Sequence, residues 1–380
     1  LQSITKNWGA RDANWFFDFP TSAEKTMEFL EQSELHKKAA IQFQGAIAIN
    51  TGVLKTLIDI IGPIELPAYQ LTLTGENFLE KIQYEVEAGR DKKPGQNPKK
   101  ILSALTPVIF EKMADLSEEQ KQNLIQKFQS HLAEKDVMIY FKDWQLQSFL
   151  ENVGLAGNVL ELPKNFSGDY LAIINANIAS GKTDAFINQK ISLNTKIDGT
   201  GKITSELSIS RNHQGQNEKD WWYRTDNKNY LKILAPEKSK LISMHGNSQA
   251  PKPKLWDYQK NYISDPELSS IEKTASFIDK FQTWIGKEFG KASFGTWFNT
   301  PAGTKKELTV VYENGVTLNI QDNQQYQFIF EKQSGTNGSL EYSISAPPGY
   351  IWKESGSELF KYETDQIKAR EIINLTLLKI

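Results

Sequence analysis

Cysteine is absent from all 380 residues. Disulfides, thiolate metal sites and cysteine nucleophiles are therefore excluded, and the chain suits either redox compartment. Histidine is nearly as scarce. His36, His131, His213 and His245 share no helix face or short ligand spacing, and no HExxH pattern occurs. Each reads as a surface or locally bonded residue. A Ser–His–Asp triad would have to be assembled from distant positions, because no nucleophile-elbow sequence is present. Long apolar runs are missing too: none approaches the roughly 20 residues of a membrane helix. Charge of one sign is not in excess. With 44 basic and 46 acidic residues the formal net charge is −2, so no global field recruits nucleic acid or an anionic membrane, and no nucleic-acid partner is expected. There is no initiator methionine and no signal-peptide pattern. The opening LQSITKNWGARD reads as the start of a mature or truncated piece of a longer protein.

What is present is ordinary globular material, 39% hydrophobic and 24% charged, with length enough for two or three domains. The organising stretch is Ala40–Leu66. Gln44–Ile49 is short and apolar on successive residues, the pattern of a strand covered on both faces. Asn50 or Thr51 then caps a helix in which Val53, Leu54, Leu57, Ile58 and Ile61 form one face, and Gly62-Pro63 ends it. Ile64 and Leu66 open a second strand. Around this α/β unit, helices are expected from Thr21 or Ser22 to about His36 and from Thr74-Gly75-Glu76-Asn77 onward. Another starts at Asn97-Pro98, with Pro107 kinking or dividing it. A further helix runs from Ser117 to Leu132, where Ser117 and Gln120 have capping-box spacing. Val137–Phe141 reads as a buried strand and Trp144–Val153 as a short helix.

After Pro163 the period changes from 3.6 to 2. Asp169–Asn177 is a strand. Ile191, Leu193 and Ile197, the turn Asp198-Gly199-Thr200-Gly201, and Ile203, Leu207 and Ile209 spell a hairpin. Alternation returns at Leu308–Tyr312, Tyr326–Phe330, Leu340–Ile344 and Ile373–Leu377. Only Ser270–Glu288 offers a helix of any length. Residues 1–165 are thus expected to form an α/β domain and 166–380 an all-β sandwich region. That region is one module or two, and in the second case the modules are 166–262 and 263–380.

Three stretches invite a site. Ser180-Gly181-Lys182-Thr183 looks like the end of a phosphate-binding loop, yet the motif requires glycine where Ala176 stands, and it precedes a strand rather than a helix. A surface turn is the expectation. Trp221-Trp222-Tyr223-Arg224 places aromatics beside a cation, which suits stacking on sugars or anchoring a partner. In a strand the two tryptophans would face opposite sides, one of them inward. Arg90, Lys92, Lys93, Lys99 and Lys100 make a basic loop leading into a helix, where free N–H groups favour an anion. The competing reading is a solvated loop.

Arg11-Asp12-Ala13-Asn14-Trp15 followed by Asp18-Phe19-Pro20-Thr21-Ser22-Ala23 resembles the fingerprint of an uncharacterised family of bacterial membrane-anchored proteins. That family is distantly similar to the LytR–CpsA–Psr envelope proteins. The resemblance extends more loosely along most of the chain, including Phe294-Gly295-Thr296-Trp297. It implies a mixed sheet with helices like the LytR–CpsA–Psr fold, and an extracytoplasmic protein tethered by an N-terminal membrane helix that this sequence lacks. A strand-rich segment ahead of Arg11 is implied as well, so a missing N-terminal segment or a partner chain is expected to complete the sheet. Arg11, Asp12 and Arg90 then take the positions that face a polyprenyl-linked phosphate, with Asp12 a candidate ligand for Mg2+. The later arginines of the family's signature appear here as lysine or not at all, and lysine does not copy a bidentate guanidinium. The two functions in view are a phosphotransferase of the LytR–CpsA–Psr type acting on a lipid-linked glycopolymer, and a non-catalytic surface or adhesion protein whose sandwich binds a cell-wall glycopolymer.

Overall fold

The computed structural model describes residues 7–93, 95–178, 180–251 and 262–380. The chain forms two compact units. One is Gln42–Gly157; the other joins Leu1–Ile41 to Asn158–Ile380.

The first unit is helical. Asn50 caps the helix Thr51–Ile61 by accepting the N–H groups of Gly52 and Val53 at 2.9 and 3.3 Å. Gly62, at φ 80°, ends it in a conformation that side chains resist. Further helices are Phe78–Ala88, Lys100–Ala114, Glu118–Ala133 and Trp144–Asn152. Pro107 lies inside an unbroken helix. The Ser117–Gln120 capping box is made in both directions. Ile58, Ile61, Ile64, Leu73, Phe78, Ile82, Ile101 and Leu105 fill the core.

The strands of this unit depart from the expected mixed sheet. Gly45–Ile49 pairs antiparallel with Val137–Phe141, and Ile64–Leu66 pairs antiparallel with Leu71–Leu73, as two separate two-stranded sheets. Gly45–Ile49 is not covered on both faces either: Ile47 is 62% and Ile49 52% exposed. Met138 and Tyr140 on one face and Val137 on the other are buried, whereas Ile47 and Ile49 reach solvent because a two-stranded sheet has no second layer over that part of its surface.

In the second unit the helix Phe19–Gln32 is capped by Asp18, three residues before the expected Thr21. Asp18 has two tasks. One oxygen accepts Thr21 N–H at 3.1 Å, and the other accepts Val159 N–H at 2.9 Å. Phe17 packs with Val159, Tyr170, Ala172, Ile174, Leu234 and Ile329. The N-terminal residues therefore belong with the β-rich region. The units part after Ile41 and after Gly157, where periodicity suggested one division near residue 165.

Two large sheets make up the β-rich region. The eight-stranded sheet runs Ser276–Ile278, Thr283–Glu288, Lys291–Trp297, Asn229–Pro236, Gly168–Asn177, Gln325–Glu331, Arg370–Lys379 and Tyr350–Trp352 in spatial order. The six-stranded sheet runs Leu359–Thr364, Gly338–Ser345, Ile187–Ile197, Lys202–His213, Lys305–Thr317 and Lys240–His245. Strands from both sides of residue 262 interleave in each sheet, so this is one sandwich rather than two modules. The hairpin Ile187–Ile197/Lys202–His213 sits where alternation placed it. Two pairings are parallel: Gly168–Asn177 beside Gln325–Glu331, and Ile187–Ile197 beside Gly338–Ser345. Leu171, Leu193, Leu207, Leu231, Phe294, Leu308, Val310, Phe328 and Leu340, all fully buried, bind the sheets face to face. The stretch Ser270–Glu288 carries two strands, Ser276–Ile278 and Thr283–Glu288, instead of one long helix. A helix occupies Pro266–Glu272, and Phe277, Ile278, Thr283, Trp284 and Ile285 are aromatic or β-branched residues that suit a pleated surface.

Candidate functional site

One end of the sandwich gathers two of the stretches singled out by sequence. Trp221–Arg224 is a single helical turn, not a strand, and it splits its aromatics between inside and outside: Trp222 and Tyr223 are buried, Trp221 is 59% exposed and Arg224 is exposed. Trp222 stands edge-on to Trp221 at 5.8 Å, and Tyr223 meets Phe186 at 4.9 Å. Ser180–Thr183 closes over this turn. Lys182 N–H donates to Trp222 carbonyl oxygen at 2.8 Å, Gly181 N–H donates to Thr225 Oγ1 at 3.1 Å, and the Ser180 hydroxyl donates to the Asp226 carbonyl. A Cβ on Gly181 would lie 1.9 Å from Trp222 carbonyl oxygen. The glycine is there for backbone approach, and the loop's donors are spent on its own chain rather than turned toward a phosphate.

Beneath the clasp lies a buried polar chain. Thr183 Oγ1 accepts from Asn177 Nδ2 at 3.1 Å and from Asn227 Nδ2 at 2.9 Å, and Asn227 Oδ1 accepts from Arg211 Nη1 at 2.9 Å. Arg211, 2% exposed, faces Asp184 at 3.6 Å; burial pulls its guanidinium down to about 10 while Asp184 opposes that shift. His213 is buried. Its Nδ1 accepts Gly215 N–H at 3.1 Å and its Nε2–H donates to Thr225 carbonyl oxygen at 3.0 Å, which fixes a neutral tautomer. These residues lock the turn from below, so Trp221 and Arg224 project from a rigid base. Sequence reasoning missed Arg211, Asn227 and His213. For Arg211 and His213 the available signal was polar residues in the inward phase of a strand otherwise lined with Leu and Ile; Asn227 lies outside the strands and offered none.

A second constellation joins residues that no motif connects. In the helical unit, His131 Nδ1 lies 2.7 Å from Asp136 Oδ2 and Nε2 lies 2.9 Å from Thr56 Oγ1, while Asn50 Nδ2 donates to the other Asp136 oxygen. The order Thr–His–Asp is that of an acyl-transfer triad. Thr56, however, sits in the interior of Thr51–Ile61, where backbone N–H groups are spent within the helix and leave no cradle for an oxyanion. The cluster ties together the helices Thr51–Ile61 and Glu118–Ala133 and the strand beginning at Val137.

The residues anticipated for a phosphate are divided between the two units. Arg11 and Asp12 occupy a 3-10 turn of the β-rich unit. Arg11 Nε is 3.0 Å from Asp12 Oδ2, and Trp8 Nε1 donates to Asp12 carbonyl oxygen at 2.9 Å. Arg90, in the helical unit, lies over the Tyr69 ring at 5.0 Å and donates to the Ala68 carbonyl. Tyr69 donates to Asp91 at 2.7 Å, and burial followed by that carboxylate pushes its hydroxyl up to about 12. Lys92 pairs with Glu87 at 3.3 Å. Lys93, Lys99 and Lys100 are exposed; residue 94, in the same loop, lies outside the described residues. The helix there begins at Lys100, and Asn97 Oδ1 accepts Lys99 N–H at 3.0 Å. These residues do not fit a Mg2+ site. Asp12 is a single carboxylate already paired with Arg11, and among the described residues no group of three or more acidic or histidine side chains converges on an ion position.

A groove of about 680 Å³ also lies on the β-rich unit, lined by Leu162, Phe166 and Phe289 with Lys164, Lys238 and Lys291. Lys291 is 1% exposed, donates to Leu160 carbonyl oxygen at 2.7 Å and lies over the Tyr170 ring at 4.8 Å. Burial lowers its pKa.

Geometry thus defines a β-rich protein that carries a smaller helical unit. Residues 2–86 match the family model described as "Protein of unknown function (DUF4012)", so this part of the chain is similar to a domain of unknown function. No curated protein matches the chain. Among solved structures, a putative nutrient binding protein from Legionella pneumophila is 10% identical, with 56% of this chain and 72% of that chain covered and a TM-score of 0.29. An M1 zinc metallopeptidase from Deinococcus radiodurans is 6% identical, with coverage of 50% and 42% and a TM-score of 0.20, so this chain spans less than half of that enzyme. At such scores neither likeness bears on fold or activity.

Proposed function

We propose that the chain is a non-catalytic cell-surface protein whose sandwich binds a cell-wall glycopolymer at the Trp221–Arg224 turn. One observation carries this reading: an exposed indole and a guanidinium, three residues apart on one turn, stand on a base held by buried hydrogen bonds. An indole face stacks on a sugar ring, a cation pairs with a phosphate or carboxylate along the polymer, and a pre-formed base reduces the ordering cost of binding. Loops at the end of a sandwich are also where such folds carry their variable surfaces. Titration with purified anionic wall polymer tests the proposal. Trp221→Ala is expected to weaken binding by at least about tenfold, which is about 1.4 kcal/mol. Unchanged affinity would reject the turn as the site.

A second reading gives the helical unit a fold like that of the LytR–CpsA–Psr proteins, with Arg90 meeting a polyprenyl-linked phosphate. The exposure of Arg90 supports it, since this cation reaches solvent. Soaking with a polyprenyl phosphate tests it: density at Arg90 would support this reading, and its absence would reject it. An extracytoplasmic location with a membrane tether upstream belongs to both readings, and protease shaving of intact cells checks it.

A further inference from the structure

Among the described residues, the outer edge of the strand Gly45–Ile49 has no backbone hydrogen-bond partner. Lys142 N–H donates to Gln44 carbonyl oxygen and Asn50 N–H donates to Asp136 carbonyl oxygen, so the even-numbered residues bond across to Val137–Phe141. On that neighbouring strand Ile139 N–H turns the other way, to Leu155 carbonyl oxygen, as the same alternation requires. The backbone groups of Gly45, Ile47 and Ile49 therefore point along the outer edge, and among the described residues no backbone partner faces them. Natural edges are blunted with charge, proline or a covering element. This one carries none of the first two: no charged residue or proline occurs between Lys38 and Lys55, and Ile47 and Ile49 are more than half exposed.

We propose that this edge pairs with the same edge of a second copy, antiparallel about a two-fold axis at Ile47. The register is self-complementary. Centring on Ile47 sets Ile47 opposite Ile47, Ala46 opposite Ala48, and Gly45 opposite Ile49, so the smallest side chain meets a large one. The outward N–H and C=O groups of Gly45, Ile47 and Ile49 all find partners, and the two-stranded sheet becomes four-stranded. The flanks agree as well, because Gln44 meets Asn50 and no like charges are brought together. The proposal goes beyond the glycopolymer reading and rests on the other unit, so either stands without the other.

Sedimentation of the full chain over a wide concentration range is the test. A monomer–dimer equilibrium is expected, and Ile47→Lys is expected to abolish the dimer by setting two ammonium groups opposite each other. Ile47 is exposed, so this change leaves the fold intact, which circular dichroism checks. Ile47→Glu alone is also expected to be monomeric, whereas an equimolar mixture of Ile47→Lys and Ile47→Glu is expected to form a heterodimer. Hydrogen exchange at the amides of Ile47 and Ile49 should slow only at concentrations where the dimer forms. A wild-type monomer at every concentration overturns the proposal, and so does a dimer that survives Ile47→Lys. Failure of the mixture to restore pairing overturns the centred register. Protected edge amides in a monomer would instead assign the edge to another segment or partner strand.

Discussion

The two units solve the same problem unequally. In the sandwich, every face that a strand turns inward meets a face from the other sheet, and residues such as Phe294, Phe328, Leu207 and Tyr342 are fully or almost fully buried. In the helical unit, large apolar side chains remain outside: Ile47, Phe110, Ile125, Trp144 and Phe149 are each more than half exposed. The difference comes from layers. Two large sheets cover each other, whereas a pair of two-stranded sheets offers several helices too little surface to rest on. The sandwich thus covers its inward faces, and the helical unit leaves large apolar side chains in solvent.

The largest expected effect tests that contrast directly. Phe328 is fully buried and stacks on Tyr342 at 4.0 Å, so Phe328→Ala should cost about 3–5 kcal/mol in urea unfolding. Ile47→Ala, at an exposed position, should stay within about 0.5 kcal/mol. Equal costs would break the comparison.

Next comes a pH dependence inside the sandwich. Asp169 is fully buried and burial pushes its carboxyl from 3.8 up to about 6, against hydrogen bonds from Ser205 and Tyr312 that hold it down. A folded pKa above the unfolded one means stability that is present below about pH 4 and lost as pH rises through about 6. A rise from 3.8 to about 6 corresponds to about 3 kcal/mol. Asp169→Asn should remove this component, so the gap between variant and wild type widens in the variant's favour from pH 4 to 7.

A smaller effect belongs to the helical unit. Ser117→Ala removes a side chain that accepts Gln120 N–H at 3.2 Å and should cost about 1 kcal/mol. It should appear as faster hydrogen exchange along Glu118–Ala133, with the sandwich amides unchanged. The smallest is Trp221→Ala, which should alter stability by at most about 0.5 kcal/mol while weakening polymer binding. A large loss of stability would move Trp221 from the surface to the framework.

Local signals were legible and distant ones were not. Asn50, Gly62, Ser117 and the turn at Asp198–Gly201 each act within a few residues, and each did what its chemistry dictates. Asp18 was harder, because Thr21 and Ser22 are equally good caps and only the bond to Val159 explains the choice. The parallel pairing of Gly168–Asn177 with Gln325–Glu331 leaves no trace in either segment's own pattern, since alternation identifies a buried face and not its neighbour. The clasp of Gly181 on Trp222 was hidden for the same reason, and the resemblance to a phosphate loop drew attention away from it. For the phosphate residues, sequence placed Arg11 in a family fingerprint and Arg90 in a loop but could not show that each would be held by its own neighbours.

The union of the first 41 residues with Asn158–Ile380 has a consequence in time. Phe17 and Phe19 leave the ribosome early, yet Val159, Tyr170 and Ile329, which surround Phe17, are made much later. The helical unit is complete once residue 157 has emerged, whereas the sandwich cannot close until its final strand, Arg370–Lys379, arrives. Pairings that span such separations form slowly, because the intervening chain must first be ordered. From the emergence of residue 157 until that of Arg370–Lys379, the protein therefore carries a folded middle between an aromatic segment and an unfinished sheet. In that interval Phe17 and Phe19 need protection from other chains.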